Sequence, residues 1–427
     1  MDLMNRMTKE IYDKLIAAGK EKLAEMYTQC FRSTWDTTLQ RADDGTVFLI
    51  TGDIPAMWLR DSSAQVYHYL PFAKTEPVVE EAICKLIMRQ FSYVNLDAYA
   101  NAFNKEANAK GHGRDTSSWT EAQKVWVWER KYEIDSLCYP IRLVHAFWKE
   151  TANTEWCNED FVKAAKRIVE VWEIEQHHLE KSDYFFVRSN CKPKDTLTYE
   201  GKGEPVTYTG MTWSGFRPSD DACKYGYLIP ANFFAVRSLE QLLEIVHELL
   251  PDEAFEARIQ KLHDEIDAGI KKHAVVHHEE YGDVYAYEVD GFGNYHLMDD
   301  ANVPSLLSLP YLGCIDVNDP IYQNTRRMLL SKVNPFYFEG KAAKGIGSPH
   351  TPENYVWPIS LCIQGLTSTD KEEIRELIDT LITIDADTNL MHEGVNVDDP
   401  FQFTRPWFAW ANSIFAEFVA HAIEYLD

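Results

Sequence analysis

The residues with the clearest potential for chemistry are two carboxylates that lie far apart in the chain. Asp220 follows Arg217 in a stretch rich in Trp, Tyr and Gly, and Glu393 precedes Arg405 in a second stretch with several aromatic residues. A sugar offers hydroxyl groups to bind and apolar faces on which rings stack, and hydrolysis of a glycosidic bond requires one carboxylic acid and one carboxylate. The pattern therefore indicates glycoside hydrolysis.

The two carboxylates are expected to differ in protonation. Asp220 should project from a loop at the entrance of the helix that starts near Pro230, where aromatic neighbours desolvate it; desolvation favours the protonated form and suits a general acid. Glu393 is expected on an open loop facing water, where it stays ionised as a general base. For Asp220 and Asp221, turn or helix-entry chemistry is an alternative, whereas a metal-binding D-D-x-x-D motif is not formed because Lys224 stands at its last position.

Trp58, Arg60 and Asp61 form a further candidate site just before a helix that is predicted to begin near Ser62. An Arg-Asp pair beside a Trp suits a sugar pocket, where Arg60 and Asp61 would bind vicinal hydroxyl groups. The alternative is a capping Asp with its neighbouring Arg in a surface salt bridge, an interaction that is common and weak.

Two other polar clusters are suited to ligand contact. His112 lies between two glycines, which let the backbone approach a ligand closely, although a flexible surface turn explains this segment equally well. His296, Asp299 and Asp300 lie in a long loop, where they either bind sugar or cap a helix near Val303–Leu309.

Composition limits the classes of partner. The 427 residues are 45% hydrophobic, enough for a large core, and 67 acidic against 42 basic residues give a formal charge of -25. This charge repels phosphate backbones and anionic lipid headgroups, so neither nucleic acid nor a membrane is expected as a partner, and a neutral ligand fits better. The first residues lack a signal-peptide pattern and no apolar run reaches about 18 residues, which predicts a cytoplasmic protein.

The eight cysteines are widely spread and include no C-x-x-C pair, so zinc-site and redox-motif interpretations fail. Most of them are expected to be reduced thiols in or near the core.

Apolar residues at three-to-four spacing predict about a dozen helices that arrive in pairs. The predicted helices are Ile11–Tyr27, Ala64–Leu70, Val78–Phe91, Tyr132–Phe147, Phe161–Glu175, Leu228–His247, Phe255–Ala274, Tyr322–Leu330, Tyr355–Leu366, Ile374–Ile384 and Trp407–Ile423. Short strands such as Tyr184–Val187 and Val284–Tyr287 are expected only in loops.

The helix pairs continue from end to end without a linker, which predicts one all-α domain over residues 1–427. Six helical hairpins closing into a ring form an (α/α)6 barrel, and an open helical solenoid is the alternative. The long segments 111–126, 191–227, 279–310 and 334–354 between the pairs are expected to carry function.

The segments Gly52–Ser62, Gly215–Asp221 and His392–Gly394 resemble glycoside hydrolase family 125, the bacterial and fungal exo-α-1,6-mannosidases, and the similarity extends over nearly the whole chain. The resemblance implies an (α/α)6 barrel, inversion of anomeric configuration and release of single mannose units from non-reducing ends of α-1,6-linked mannosides. It also implies that Asp220 is the general acid and Glu393 the general base.

An exo-acting enzyme needs a pocket that ends behind the terminal sugar. The residues expected to build it are Trp58, Arg60, Asp61, His112, His296, Asp299, Asp300 and Arg405. No metal or other cofactor is implied, because an acid and a base suffice and the acidic clusters lack a recognisable calcium loop. The expected partner is an α-1,6-linked manno-oligosaccharide, from an N-glycan or a mannan.

Two alternatives stay open on sequence alone. One is another inverting glycosidase, or a glycoside phosphorylase, on the same fold, since a fold does not specify a reaction. The other is a sugar-binding protein without catalytic activity, in which the Trp-rich loops bind a ligand and do not turn it over.

Overall fold

The computed structural model describes residues 2–111 and 113–426, and helices joined by long loops make up most of it. The α-helices of this part are α1 (Leu3–Ala17), α2 (Glu21–Ser33), α3 (Leu59–Tyr67), α4 (Leu70–Ala73), α5 (Pro77–Leu96), α6 (Glu121–Lys124), α7 (Ile134–Thr151), α8 (Glu159–Glu175), α9 (His178–Lys181), α10 (Ile229–Leu249), α11 (Glu253–His273), α12 (Pro320–Leu329), α13 (Pro358–Leu366), α14 (Lys371–Leu381) and α15 (Ala409–Ala422). A π-helical turn, Thr34–Thr38, follows α2, and 3₁₀ turns lie at Pro193–Asp195, Tyr199–Gly201 and Ile423–Tyr425.

The strands are short and lie in the loops between helices. They are β1 (Leu39–Arg41), β2 (Val47–Leu49), β3 (Met57–Trp58), β4 (Ala102–Phe103), β5 (Asp115–Ser117), β6 (Val127–Glu129), β7 (Phe186–Arg188), β8 (Tyr227–Leu228), β9 (Val275–His278), β10 (Gly282–Tyr285), β11 (Glu288–Val289), β12 (Tyr295–His296), β13 (Tyr337–Glu339), β14 (Lys344–Ile346), β15 (Tyr355–Val356), β16 (Gly394–Asn396) and β17 (Phe403–Thr404). They pair antiparallel in groups of two or three. Their short lengths and their positions in loops agree with the prediction.

The helices pack as hairpins around a ring. Consecutive pairs such as α1 with α2, α10 with α11 and α13 with α14 contact each other along their lengths. Helices α3, α7 and α10 pack side by side, and α15 packs on both α3 and α13, so that the last long helix lies beside the first hairpins. The chain thus has the predicted (α/α)6 architecture.

Local sequence sets the helix starts. α8, α11, α12 and α14 begin after Asn158, Asp252, Asp319 and Asp370, whose side chains accept a backbone N–H of the first turn and so satisfy a donor that the helix leaves free. α5, α10, α12 and α13 carry a proline in their first turn, where its missing N–H costs nothing.

Four helix predictions are wrong. The helix predicted over Ala64–Leu70 begins at Leu59, so Arg60 and Asp61 lie in its first turn and not before it. The periodic stretch Ile11–Tyr27 is two helices, because Gly19 adopts a left-handed conformation (φ 69°) between α1 and α2. Residues Tyr355–Val356 form β15, and the helix begins only at Pro358. The segment Val303–Leu309 forms turns, not a helix.

A continuous hydrophobic core runs from Met4 to Leu426 and contains residues from every long helix. Trp156, Trp172, Trp213, Trp357 and Trp410 are all buried in it. All eight cysteines are free thiols, and five of them are buried while the others are half-buried. None of the helices in the described ranges is long and apolar enough to cross a membrane.

Candidate active site

Asp220 and Glu393, which are far apart in the sequence, line the same cavity, whose volume is about 230 Å³. The aromatic side chains of Trp58, Trp357 and Phe408 contribute to its wall. Polar groups facing the same space belong to Arg60, Asp61, Asn302, His350 and Arg405. Rings and carboxylates thus converge at one place, as hydrolysis of a sugar requires.

A larger groove of about 1010 Å³ lies along α8. Three of its cationic side chains are paired: Lys166 with Asp252 at 2.9 Å, Arg167 with Glu170 at 2.7 Å and Arg258 with Glu173 at 2.5 Å. It is lined by neither Asp220 nor Glu393, so we assign the chemistry to the smaller cavity.

The loop that carries Asp220 is a tight reversal of the chain. Phe216 pairs with Ala222 across it, and the N–H of Arg217 donates to the carbonyl of Asp221 at 2.8 Å. Asp220 lies at the tip with a φ of 67°, a left-handed conformation that Asp tolerates better than most residues. The reversal directs the Asp220 carboxyl group into the cavity.

Buried polar contacts fix this loop from behind. Arg217 forms an ion pair of 2.6 Å with Glu288, which also accepts the backbone N–H groups of Lys224 and Tyr225. The hydroxyl group of Ser219 donates a hydrogen bond to the carboxylate of Asp300 at 2.5 Å. Asp300 therefore supports the Asp220 loop and does not itself line the cavity.

Arg60 lies at the floor of the cavity, only 2% exposed, with four carboxyl groups around its guanidinium. Its Nη1 is 2.5 Å from Glu133 and 3.1 Å from Asp135, while Asp61 and Asp220 each lie at 3.5 Å. Burial would lower the pKa of Arg60, but these carboxylates raise it well above its usual range. The surface salt-bridge alternative for Arg60 and Asp61 is therefore wrong, since both are buried.

The environment of Asp220 differs from the one the sequence suggested. Burial raises the pKa of its carboxyl group, but Lys131 and Arg60 outweigh burial and place the pKa below the usual range. The Nζ of Lys131 donates to the backbone carbonyl of Asp220 at 2.6 Å. The prediction that aromatic neighbours favour protonated Asp220 is therefore wrong, because Lys131 and Arg60 favour the ionised carboxyl group more than burial opposes it.

Glu393 lies immediately before β16, in the three-stranded group β15–β16–β17, and is 5% exposed. Its N–H donates to the carbonyl of Thr404 at 3.3 Å, and Arg405 Nη1 lies 3.5 Å from Oε1. Arg405 also forms a bidentate pair with Asp53, at 2.6 and 3.0 Å. The base candidate is thus held at a strand end by a fixed cation, and the prediction of an open loop is wrong.

His350 is a cavity residue that sequence reasoning missed. Its Nδ1 hydrogen-bonds Asp221 at 2.9 Å, and Lys194 lies 3.4 Å from the other oxygen of Asp221. Burial lowers the pKa of His350, but the bond to Asp221 outweighs it and the net shift is upward. The available signal was weak: His350 lies in the long Gly- and Pro-containing loop 334–354.

The other predicted pocket residues separate into two groups. Trp58, Arg60, Asp61 and Arg405 line the cavity. His296 lies half-buried on β12, outside the lining, and His112 lies outside the described residues.

Asp299 is fully buried behind the cavity wall. Its two oxygens accept the backbone N–H groups of Leu306 and Leu307 at 2.9 and 3.0 Å. Burial raises its pKa to about 8 despite these bonds. Asp299 thus accepts backbone N–H groups, as the capping alternative predicted, but the segment that it stabilises is a turn and not a helix.

Within residues 2–111 and 113–426, no three His, Cys, Asp or Glu side chains are grouped as metal ligands.

Similarity to known proteins extends over nearly the whole chain. Residues 20–420 match a family described as metal-independent α-mannosidase, GH125. A Streptococcus pneumoniae metal-independent α-mannosidase, solved as a non-productive substrate complex with α-1,6-mannobiose, superposes with a TM-score of 0.95 at 45% identity, covering 98% of each chain. The meiotically up-regulated gene 157 protein of Schizosaccharomyces pombe is 40% identical over 423 residues, which are 95% of this chain and 83% of that protein.

More distant structures share the fold alone. A glucoamylase of Saccharomycopsis fibuligera gives a TM-score of 0.55 at 9% identity over 96% of both chains. A bacterial glucoamylase complexed with acarbose gives 0.56 at 12% identity, covering 87% of this chain and 49% of its own.

The helical toroid, with its aromatic cavity and two carboxylates, is that of a glycoside hydrolase. The match to the family covers residues 20–420, which is nearly the whole chain. The chain belongs to glycoside hydrolase family 125, the metal-independent α-mannosidases.

Proposed function

We propose that this protein is an inverting exo-α-1,6-mannosidase that removes non-reducing terminal mannose from α-1,6-linked manno-oligosaccharides, such as those of N-glycans or mannan. The observation that carries the proposal is the presence of Asp220 and Glu393 in one cavity with Trp58 and Trp357. The complex of the Streptococcus pneumoniae relative with α-1,6-mannobiose supports the linkage.

In the proposed mechanism Asp220 donates a proton to the glycosidic oxygen as the C1–O bond breaks. Glu393 removes a proton from a water molecule that attacks C1 from the opposite face, so the configuration at C1 inverts. Room for that water requires the two carboxyl groups to lie roughly 6.5–9.5 Å apart. Arg405 orients Glu393, since its Nη1 lies 3.5 Å from the carboxylate oxygen.

The cavity walls suit a single terminal sugar. Trp58, Trp357 and Phe408 supply surfaces for its apolar face, and Asp61 and His350 supply polar atoms for its hydroxyl groups. Buried hydrogen-bonding groups discriminate strongly between sugars, because a sugar lacking the matching hydroxyl leaves them unpaired. The indole N–H of Trp58 is buried without a partner among residues 2–111 and 113–426 and is available for such a contact.

The first test is proton NMR of the purified protein digesting α-1,6-mannobiose, followed from the earliest minutes. We expect β-mannose to form first and to mutarotate later to the α anomer, because attack opposite the leaving group inverts C1. The α-1,2 and α-1,3 isomers, digested in parallel, control for linkage and should react more slowly.

Other outcomes of this test support other functions. Initial α-mannose would contradict inversion and the roles given to both carboxylates. Release that depends on added phosphate would identify a glycoside phosphorylase. Binding of the disaccharide without release would indicate a sugar-binding protein.

Chelation should leave the activity intact. We expect the rate of mannobiose hydrolysis in excess EDTA to equal the untreated rate, because acid and base catalysis by two carboxyl groups needs no Lewis acid. The measurement compares initial rates after prolonged incubation and desalting. Loss of activity that returns on adding Ca²⁺ or Zn²⁺ would contradict this mechanism.

A further inference from the structure

The buried carboxyl group of Glu133 has no role in the mechanism above, yet it adjoins the general acid. Glu133 lies at the N-terminus of α7 and does not cap that helix with its side chain. Its side chain is directed instead toward Arg60 and Asp220 at the floor of the cavity. A general acid must carry a proton at the start of each turnover, whereas Lys131 and Arg60 favour ionised Asp220.

Glu133 and Asp220 share the same partners. Arg60 contacts Glu133 at 2.5 Å through Nη1 and Asp220 at 3.5 Å through Nη2. The side-chain amide of Asn101 lies 3.3 Å from Glu133 Oε1 and 3.5 Å from Asp220 Oδ1. Arg60 and Asn101 thus bring the two carboxyl groups together, and a side-chain hydrogen bond between them lowers the pKa of Asp220 and raises the pKa of Glu133. A hydrogen bond between two carboxyl groups requires a proton on one of them.

Charge balance at this floor also requires a proton. Glu133, Asp61, Asp135 and Asp220 surround the single guanidinium of Arg60. Lys131, Arg405 and His350 are the other nearby basic groups, and each has an acidic partner of its own. Glu129 lies 3.6 Å from Lys131, Asp53 lies 2.6 Å from Arg405, and Asp221 lies 2.9 Å from His350.

Buried charges without partners are costly, and an ionisable group neutralises rather than remain unpaired. Burial raises the pKa of Glu133 well above its usual range, and Asp135 and Asp220 raise it further against the opposing effect of Arg60. These neighbours favour the protonated form of Glu133 and the ionised form of Asp220.

We propose that Glu133 is a positioning residue that stores the catalytic proton and passes it to Asp220 through their shared hydrogen bond. This inference rests on the proposed function, since it assigns the source of the proton that Asp220 delivers.

The proton balance of a turnover is complete. The proton moves from Glu133 to Asp220, and from Asp220 to the glycosidic oxygen, while water attacks C1 and loses a proton to Glu393. Glu393 then releases its proton to solvent, and the pair of Glu133 and Asp220 takes one up. The alkaline limb of the kcat profile therefore reports loss of the proton shared by this pair and not the pKa of one residue.

The test is the variant Glu133→Gln, which keeps the size and hydrogen-bonding capacity of the side chain and removes its charge and its acidic proton. When the shared proton is on Asp220 in the wild-type protein, Glu133 is ionised and its negative charge makes Asp220 a weaker acid. The glutamine of the variant is neutral, so Asp220 is a stronger acid in the variant. We expect the alkaline limb of kcat for α-1,6-mannobiose to move by about one to three pH units toward lower pH. At neutral pH the rate should fall at least about tenfold, since each pH unit is a factor of ten.

A second substrate separates this role from a structural one. Hydrolysis of 2,4-dinitrophenyl α-mannoside needs no proton on the leaving phenolate, so Glu133→Gln should cleave it at close to the wild-type rate. Glu417→Gln is the matched control, because Glu417 is a half-buried carboxyl group, bonded to Tyr311 at 3.0 Å, that lies outside the cavity. This control should leave both rates and the pH profile unchanged.

An unshifted alkaline limb, or equal losses on both substrates, would overturn the assignment. If Glu133→Gln does not fold, carbon NMR of Glu417→Gln protein labelled at glutamate Cδ gives the answer instead. We expect one glutamate carboxyl to be protonated at neutral pH, and ionisation of all of them would overturn the proposal. If wild-type protein does not cleave mannobiose, the proposed function fails, whereas the NMR result still decides where the proton resides.

Discussion

Replacing Asp220 with Asn is expected to reduce kcat for α-1,6-mannobiose by about 10²–10⁴-fold, because the amide cannot protonate the departing oxygen. Binding of the disaccharide, measured by calorimetry, should change little, since Asn fills the same space and keeps a carbonyl oxygen toward Arg60. Because Asn also adopts left-handed conformations, the loop tip at φ 67° should be retained.

Asp319→Asn is a suitable control for this first variant. Asp319 caps α12 by accepting the N–H of Tyr322 at 2.8 Å, and Asn caps helices about as well as Asp. We expect wild-type rates from this control. Near-wild-type hydrolysis by Asp220→Asn would remove Asp220 from the acid role.

Replacing Glu393 with Gln is expected to lower kcat by a similar factor, about 10²–10⁴, because the attacking water then keeps its proton. Added azide should restore turnover of an activated aryl mannoside, since this anion attacks C1 without deprotonation. The product expected by NMR is β-mannosyl azide, formed by attack from the face opposite the leaving group.

For this variant the control is Glu339→Gln, an exposed glutamate on β13. It should hydrolyse mannobiose at the wild-type rate and should not respond to azide. Formation of α-mannosyl azide by Glu393→Gln would place the base on the wrong face, and unchanged hydrolysis without azide would exclude Glu393 from the role.

The fold was largely predictable because the spacing of apolar residues within each helix shows which face of that helix is buried. The spacing of apolar residues located α5, α8, α10 and α11 to within a few residues of their ends. It failed between α1 and α2, where apolar residues recur in register across the bend at Gly19. Periodicity reports which face of a helix is buried, and it does not register a change of direction that keeps the same face inward.

The sequence identified several of the residues that line the site, but it did not predict the charges that surround them. Asp220 and Glu393 were recognisable from their aromatic neighbours, but the pKa of Asp220 depends on Arg60 and Lys131, which are distant in sequence. Glu133 and His350 lie in no motif, and only the folded loops bring them to Asp220 and Asp221. A pKa is set by neighbours in space, which local sequence does not specify.

The contacts of Arg405 with Asp53 and Glu393 connect the catalytic base to the seam of the toroid. Asp53 belongs to the loop before α3, the N–H of Ala409 at the start of α15 donates to Thr51 in that loop at 3.0 Å, and α15 packs on α3. The base is therefore oriented by the junction that completes the ring. Separation of α15 from α3 would misplace Glu393 while most of the helical hairpins are still intact. On warming, we therefore expect enzymatic activity to be lost at a lower temperature than the helical circular-dichroism signal.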